Sequence, residues 1–106
     1  MDNISLKFPI EYRKDIIRAI KILKEEGSLE IYIFGSLAQG NFTKNSDIDF
    51  AVKGLPEGRY FEIGGKLMIE LDHNFDLIKI DDEKNRLANY IKNNEELIRV
   101  AWKTDY

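Results

Sequence analysis

The 106-residue chain contains no cysteine, which excludes a disulfide framework and thiolate chemistry. No apolar run approaches the roughly 20 residues that a helix needs to span a bilayer. Residues 1–7 carry no signal-peptide pattern. These absences agree with a cytoplasmic protein, and we expect that location and no membrane segment.

The chain also lacks an excess of basic residues. Its 16 lysines and arginines stand against 19 aspartates and glutamates, which gives a formal net charge of −3 at pH 7. Proteins that bind nucleic acid tightly and nonspecifically carry a positive excess, so the sequence gives no strong nucleic-acid signal. A small RNA or a protein substrate stays open. The composition, 43% hydrophobic and 33% charged, is ordinary for one globular domain, which we expect across residues 1–106.

Hydrophobic periodicity predicts helices and strands in alternation. Three segments with apolar residues at helical spacing are predicted helices: residues 10–26, residues 56–73 and a segment from near residue 83, capped by Asp81 or Asp82. Three β-branched and aromatic segments are predicted strands: residues 29–34, 48–53 and 75–80. Residues 97–102 fit either a short helix or a last strand. The order favours an α/β or α+β fold, with a small mixed β-sheet and helices packed on one face.

Two features of the second predicted helix concern its packing. The helix contains the pair Gly64-Gly65, and each glycine lowers helix stability by about 1 kcal/mol. We interpret the pair as a point of close packing on the sheet. His73, the only histidine, follows this helix, and we expect it to interact with the helix C-terminus rather than to take part in catalysis.

The residues from 33 to 52 carry the first candidate site. They are typical of a strand, a Gly35-Ser36 turn, a polar loop and a second strand that begins with Asp47 and Asp49. Side chains two apart on a strand share a face, so both carboxylates point the same way. Like charges on one face repel. A hard cation such as Mg²⁺, held by one or two carboxylates and substrate phosphates, would offset that repulsion.

A third carboxylate, Asp76, is the second residue of the third predicted strand. It reaches the same face if the second and third strands are neighbours. Three carboxylates would then seat one or two Mg²⁺ ions, an arrangement suited to in-line phosphoryl displacement. Asp76 is also a candidate base for an attacking hydroxyl. Gly35 allows close approach of a phosphate, and the next amides and the Ser36 hydroxyl can donate to it.

The spacing Gly35-Ser36, ten residues, then Asp47-Ile48-Asp49 resembles the signature of the DNA polymerase β-like nucleotidyltransferases. More narrowly, the chain resembles the minimal nucleotidyltransferases of prokaryotes. The resemblance implies a polymerase β palm-like fold and transfer of a nucleoside monophosphate, such as AMP from ATP, with release of pyrophosphate. It implies Mg²⁺ as cofactor and the following site residues: Asp47, Asp49 and Asp76 for metal binding and catalysis, and Gly35, Ser36, Gln39 and Gly40 for nucleotide binding.

The resemblance also implies a partner. Family members of this size often pair with a HEPN-domain toxin, act as its antitoxin, and in some cases add AMP to a toxin tyrosine. A protein adenylyltransferase working in a hetero-oligomer is therefore expected. Two other functions stay open: an antitoxin that neutralises its partner by binding alone, and nucleotidyl transfer to RNA or a small molecule.

One residue departs from the family pattern. Many relatives carry arginine where this chain has Gln39, so the chain keeps a hydrogen-bond donor there but loses a positive charge. Lys44 and Lys53 are the candidates to supply the missing charge to a bound triphosphate.

Overall fold

A computed structural model describes residues 8–102 of the chain. Within this range the helices and strands follow one another in this order: α1 (Ile10–Glu25), β1 (Glu30–Phe34), α2 (Gly35–Gln39), β2 (Ile48–Lys53), α3 (Tyr60–Glu70), β3 (Phe75–Lys79), α4 (Arg86–Asn94) and β4 (Ile98–Trp102). None of these helices has the length and apolar character needed to cross a membrane.

The four strands form one mixed sheet in the order β3-β2-β1-β4. Strand β1 runs antiparallel to both β2 and β4, while β2 and β3 are parallel. The predicted mixed sheet is confirmed, and the last segment, which the sequence left open, is the strand β4. Strands β2 and β3 are neighbours, which is the condition that Asp76 needed to approach the other two aspartates.

Alternation along the strands separates two faces of the sheet. On one face, Ile33 of β1 and Phe50 of β2 are fully buried against α1 and α3, which contribute Ile16, Ile20 and Leu67 to the same cluster. Burial of each such side chain stabilises the fold by roughly 1.5–3 kcal/mol. The two long helices therefore pack on one face, but the prediction that all the helices share that face was wrong, because α4 packs on the other. On the other face, a smaller cluster joins sheet residues to α4.

Helix α4 begins later than predicted and has a different cap. The side chain of Asn85 accepts hydrogen bonds from the amides of Leu87 (2.9 Å) and Ala88 (3.1 Å). Asp82 instead accepts from the Lys84 amide at 3.1 Å, in the turn before the helix. The prediction of Asp81 or Asp82 as the cap was wrong because several neighbouring Asp and Asn side chains can each cap a helix.

The packing role predicted for Gly64-Gly65 was also wrong. A Cβ atom added to either glycine would meet no heavy atom within 4 Å. Helix α3 buries Ile63 and Leu67, whereas its outer surface keeps large apolar side chains in solvent: Phe61, Met68 and Ile69. The glycines therefore face open space and do not set the distance between α3 and the sheet.

His73 contacts a different partner from the one predicted. Its Nδ1 atom lies 2.7 Å from a carboxylate oxygen of Asp15 on α1, so the interaction is with another helix rather than with the end of α3. Asp15 is 1% exposed. This pair joins α1 to the turn between α3 and β3.

Candidate active site

The pairing of β2 with β3 brings two of the candidate carboxylates side by side. Asp49 is in register with Asp76 across the parallel pair. Asp49 alternates with Ile48 and Phe50, which are buried in the main core. Its side chain therefore lies on the opposite face of the sheet, and Asp76, in register with it, lies on that face too.

Asp49 carries the clearest electrostatic signature of the site. Burial, the hydrogen bond and charge of Asp76, and the charges of Asp47 and Glu95 together raise the pKa of Asp49 to about 7. Asp47 lies just before β2, which begins at Ile48, and it is exposed to solvent. Its charge nevertheless contributes to the raised pKa of Asp49.

Gly35 lies against the Asp49 carboxylate for a steric reason. It connects β1 directly to α2 with a φ of +71°, a conformation that favours glycine. A Cβ atom at this position would overlap the carboxylate of Asp49. Only glycine therefore lets the first turn of α2, including Ser36, lie this close to the acidic residues.

Gly40 ends α2. It adopts a φ of +81° and its amide donates to the Ser36 carbonyl at 3.0 Å. A Cβ atom there would meet nothing within 4 Å, so the left-handed conformation of a helix end accounts for this glycine. Gly40 thus shapes the turn that carries Ser36 and Gln39.

Gln39 has an acidic neighbour that the sequence analysis missed. Its Nε2 atom lies 3.4 Å from Oε1 of Glu95, the residue that ends α4. Glu95 lies far from the motif in the chain and reaches it only because β4 pairs with β1. No local pattern in the sequence could have indicated this fourth acidic residue.

The two lysines proposed to replace the missing arginine lie in different places. Lys53 is at the far end of β2, four residues or about 13 Å from Asp49, and its ammonium group lies 5.7 Å from the centre of the Tyr32 ring. The structure therefore does not bring Lys53 to the site. Lys44 lies in the exposed loop between α2 and β2, on the chain segment that leads to Asp47.

The donor set fits a hard divalent cation. All the candidate ligands are carboxylate oxygens, which suit Mg²⁺ and Mn²⁺. Among residues 8–102, no group of three or more histidine, cysteine, aspartate or glutamate side chains is arranged so that it could hold a metal ion by itself. Mg²⁺ does not need such a group, since it is commonly bound by one or two carboxylates with substrate phosphates and water completing its shell. The Asp49–Asp76 pair would supply two protein ligands of such a shell.

Comparison with known families identifies the fold and its class. Residues 17–101 match the family model described as "Polymerase beta, Nucleotidyltransferase". The matched segment contains the Gly-Ser turn and all three aspartates and places the chain in the transferase class. The chain therefore belongs to the polymerase beta nucleotidyltransferase family, and the resemblance inferred from the motif is confirmed.

Three solved structures with similar folds are of toxin–antitoxin complexes. One contains AMP-PNP and shares 30% identity and a TM-score of 0.58, over 79% of this chain and 69% of the other. Another is a mutant of the toxin–antitoxin MntA–HpeT with two aspartates changed to glutamate, at 27% identity and a TM-score of 0.57, over 76% and 69%. A third carries a tyrosine-to-alanine change, at 30% identity and 0.58, over 78% and 70%. A search of curated proteins found no match.

Proposed function

We propose that the chain is a Mg²⁺-dependent nucleotidyltransferase that moves AMP from ATP to a hydroxyl of a partner toxin and so acts as an antitoxin. The observation that carries this proposal is the Asp49–Asp76 pair, held in register across β2 and β3 and in contact with the glycine that begins α2. Two carboxylates beside a Gly-Ser turn combine a cation site with a phosphate site.

The related structures support ATP as the substrate. One was crystallised with AMP-PNP, an analogue of ATP. Another has two aspartates, two positions apart, replaced by glutamate. Asp47 and Asp49 have the same spacing, and we assign the equivalent role to them in this chain.

Each site residue has a specific role in the proposed reaction. Asp47, Asp49 and Asp76 would hold Mg²⁺, which supplies positive charge to the triphosphate and to the leaving pyrophosphate. Gly35 and Ser36 hold the phosphates through backbone amides and the serine hydroxyl, with Gln39 and Gly40 completing the turn. These residues lie on α2 and at its end, between β1 and the polar loop that leads to β2.

The reaction is a displacement at the α-phosphorus. The acceptor oxygen forms a bond to this phosphorus while the bond to the bridging oxygen of the β-phosphate breaks. Pyrophosphate leaves with the electron pair of that bond. Asp76 accepts the hydroxyl proton, which fits its exposed position at the edge strand of the sheet.

The open position of the acids favours a large acceptor. Asp47 and Asp76 are both exposed, so a group on a second protein can approach them without entering a closed pocket. We infer that the acceptor is a tyrosine of a HEPN-domain toxin and that the two proteins form a hetero-oligomer.

A second function is favoured by one observation. At the position where many relatives carry an arginine, this chain has the uncharged Gln39. The carboxylate of Glu95 lies beside it. This arrangement weakens triphosphate binding and favours an antitoxin that neutralises its partner by contact alone.

Label transfer distinguishes these functions. The purified chain is incubated with lysate of its source cell, Mg²⁺ and ATP labelled at either the α- or the γ-phosphate. The variants are Asp47→Asn/Asp49→Asn and, as a control with the same change in charge, Glu57→Gln/Glu83→Gln at exposed positions. We expect a protein band labelled only from the α-phosphate, lost in the first variant and kept in the control.

Three other results of this experiment would contradict the proposed transfer to a protein. Label from the γ-phosphate would indicate a kinase-like reaction and overturn the proposed transfer. Absence of label, together with neutralisation of the toxin by both variants, would establish the contact-only antitoxin. Label that appears in RNA rather than protein would move the acceptor to nucleic acid.

A further inference from the structure

A buried tyrosine on α1 reaches the loop that leads to Asp47. Tyr12 is 2% exposed, and its hydroxyl donates to the carbonyl of Ser46 at 2.8 Å, with the carbonyl of Thr43 at 3.2 Å. A hydroxyl has one hydrogen to donate, so the shorter contact with Ser46 is the main bond. None of the catalytic roles proposed above uses Tyr12.

The Ser46 carbonyl is a sensitive point of attachment. It belongs to the same planar peptide unit as the amide of Asp47, so a bond to this oxygen fixes the peptide from which Asp47 projects. The loop is closed on itself, because the Thr43 amide donates to the Ser46 hydroxyl at 2.8 Å and the Ser46 amide to the Thr43 carbonyl at 3.1 Å. Tyr12 therefore attaches a preformed turn to α1.

Tyr12 is itself held by the Asp15–His73 pair. The Tyr12 ring stacks on the His73 imidazole, with ring centres 4.2 Å apart. Asp15 accepts from the backbone amides of Asp72 (3.0 Å) and His73 (2.8 Å) as well as contacting the imidazole. Tyr12 and Asp15 lie three residues apart and so share one surface of α1.

This arrangement links both segments that carry acidic residues. Through Tyr12, α1 holds the turn before Asp47, and through Asp15 it holds the turn before β3, which carries Asp76. The two segments also meet directly, because the Ile48 amide donates to the Asn74 carbonyl at 3.0 Å. One helix thus fixes the relative positions of carboxylates that repel one another.

We propose that Tyr12 is a positioning residue that sets Asp47 for divalent-cation binding through its hydrogen bond to the Ser46 carbonyl. The proposal rests on the proposed function only in taking Asp47 as a cation ligand. It makes no use of the acceptor, the nucleotide base or the partner protein. Its test can therefore be made on the chain alone, without nucleotidyl transfer.

The test is Tyr12→Phe, which removes the hydroxyl and keeps the stacked ring. The matched control is Tyr32→Phe, which removes a hydroxyl bonded to Glu30 at the opposite end of the sheet. Mn²⁺ binding to the purified chain is measured by titration. We expect a three- to tenfold weaker affinity for Tyr12→Phe and a change below twofold for Tyr32→Phe.

A second readout needs no metal. Trypsin cleaves after lysine, and Lys44 lies in the exposed turn between Thr43 and Ser46. We expect cleavage after Lys44 to be at least threefold faster in Tyr12→Phe than in the wild type or the control, at temperatures where all three remain folded.

The outcomes separate this proposal from the proposed function. Weaker Mn²⁺ binding with faster cleavage in Tyr12→Phe supports positioning, even if no label transfer is ever detected. Wild-type Mn²⁺ affinity in Tyr12→Phe overturns the proposal, even if transfer is established. Equal losses in both tyrosine variants also overturn it, since they would reflect general loosening of the sheet.

Discussion

The two faces of the sheet differ in composition although the same strands form both. On the face covered by α1 and α3, residues such as Ile48 and Phe50 are completely buried. On the other face, the residue between them is Asp49, half-buried and close to Asp76. Adjacent residues of one strand thus serve opposite purposes.

The difference shows how a small domain carries an acidic site. A strand exposes alternate residues to opposite faces. The even-numbered apolar residues of β2 therefore stabilise the sheet, while Asp49 remains available for ligand binding on the other face. The repulsion among the carboxylates is offset by packing one residue away. We expect substitutions on the packed face to change stability most, and substitutions on the acidic face to change pH dependence and ligand binding.

The largest effect is expected from Phe50→Ala. Phe50 is fully buried on the packed face, and such truncations cost about 3–5 kcal/mol. Urea denaturation measures the loss of unfolding free energy. The control is Phe61→Ala on the outer surface of α3, where Phe61 is 89% exposed and the change should stay within about 0.5 kcal/mol. Similar losses for both would remove the distinction between packed and open surfaces.

A smaller and pH-dependent effect is expected from Asp15→Asn. Burial by itself would raise the pKa of Asp15, but hydrogen bonds from the His73 side chain and from the amides of Asp72 and His73 lower it below 3.8. The ionised form is therefore favoured by folding. Its contribution is complete above pH 3.8 and is lost as the pH falls through the lower, folded-state pKa.

The expected cost of Asp15→Asn at pH 7 is about 2 kcal/mol, because the amide keeps one acceptor oxygen but loses the charge. The difference from the wild type should shrink below pH 4, as measured by urea denaturation across the pH range. Asp72→Asn, at an exposed carboxylate in the same turn, is the matched control and should cost less than about 0.5 kcal/mol. If the difference in unfolding free energy were the same at all pH values, the packing of Asp15 rather than its charge would stabilise the fold.

On the acidic face, we expect stability to change with pH in the opposite direction. The pKa of Asp49 is raised to about 7, so folding favours its protonated form. That contribution is complete below the ordinary value of 3.8 and is lost as the pH rises through about 7. Since solvent screens this half-exposed group, Asp49→Asn should gain only about 1 kcal/mol relative to the wild type between pH 4 and pH 8, in EDTA.

Adding a divalent cation tests whether Asp49 contributes to cation binding. A cation that binds only the folded state stabilises it, so Mn²⁺ at pH 8 should raise the unfolding midpoint of the wild type and leave that of Asp49→Asn nearly unchanged. An equal shift in both proteins would place the cation elsewhere.

The smallest effect is expected from Gln39→Arg. The new guanidinium would lie beside Glu95 and near the turn that carries Ser36. An exposed pair contributes about 0–1 kcal/mol, so stability should hardly change, while the KM for ATP should fall about three- to tenfold. Glu95→Gln is the matched test of the acidic neighbour and should lower KM by less. A higher KM in Gln39→Arg would show that Glu95 captures the new charge.

Local patterns in the sequence were sufficient to predict the type of sheet and the protein family. The Gly35-Ser36 turn, its spacing to Asp47 and Asp49, and the alternation in β2 are short-range features, and strand and helix periodicity follows from the geometry of neighbouring residues. These features predicted the mixed sheet and the family, both of which are confirmed. They also indicated the candidate carboxylates, whose roles stay predictions.

Only the tertiary structure decided which distant segments meet. The register of Asp76 with Asp49 depends on β3 lying beside β2, and the approach of Glu95 depends on β4 pairing with β1. The attachment of Tyr12 to the Ser46 carbonyl joins residues 34 positions apart. Such contacts result from the packing of whole elements around a shared core. A residue's local neighbours carry the information for its helix or strand, but not for its partner across the fold.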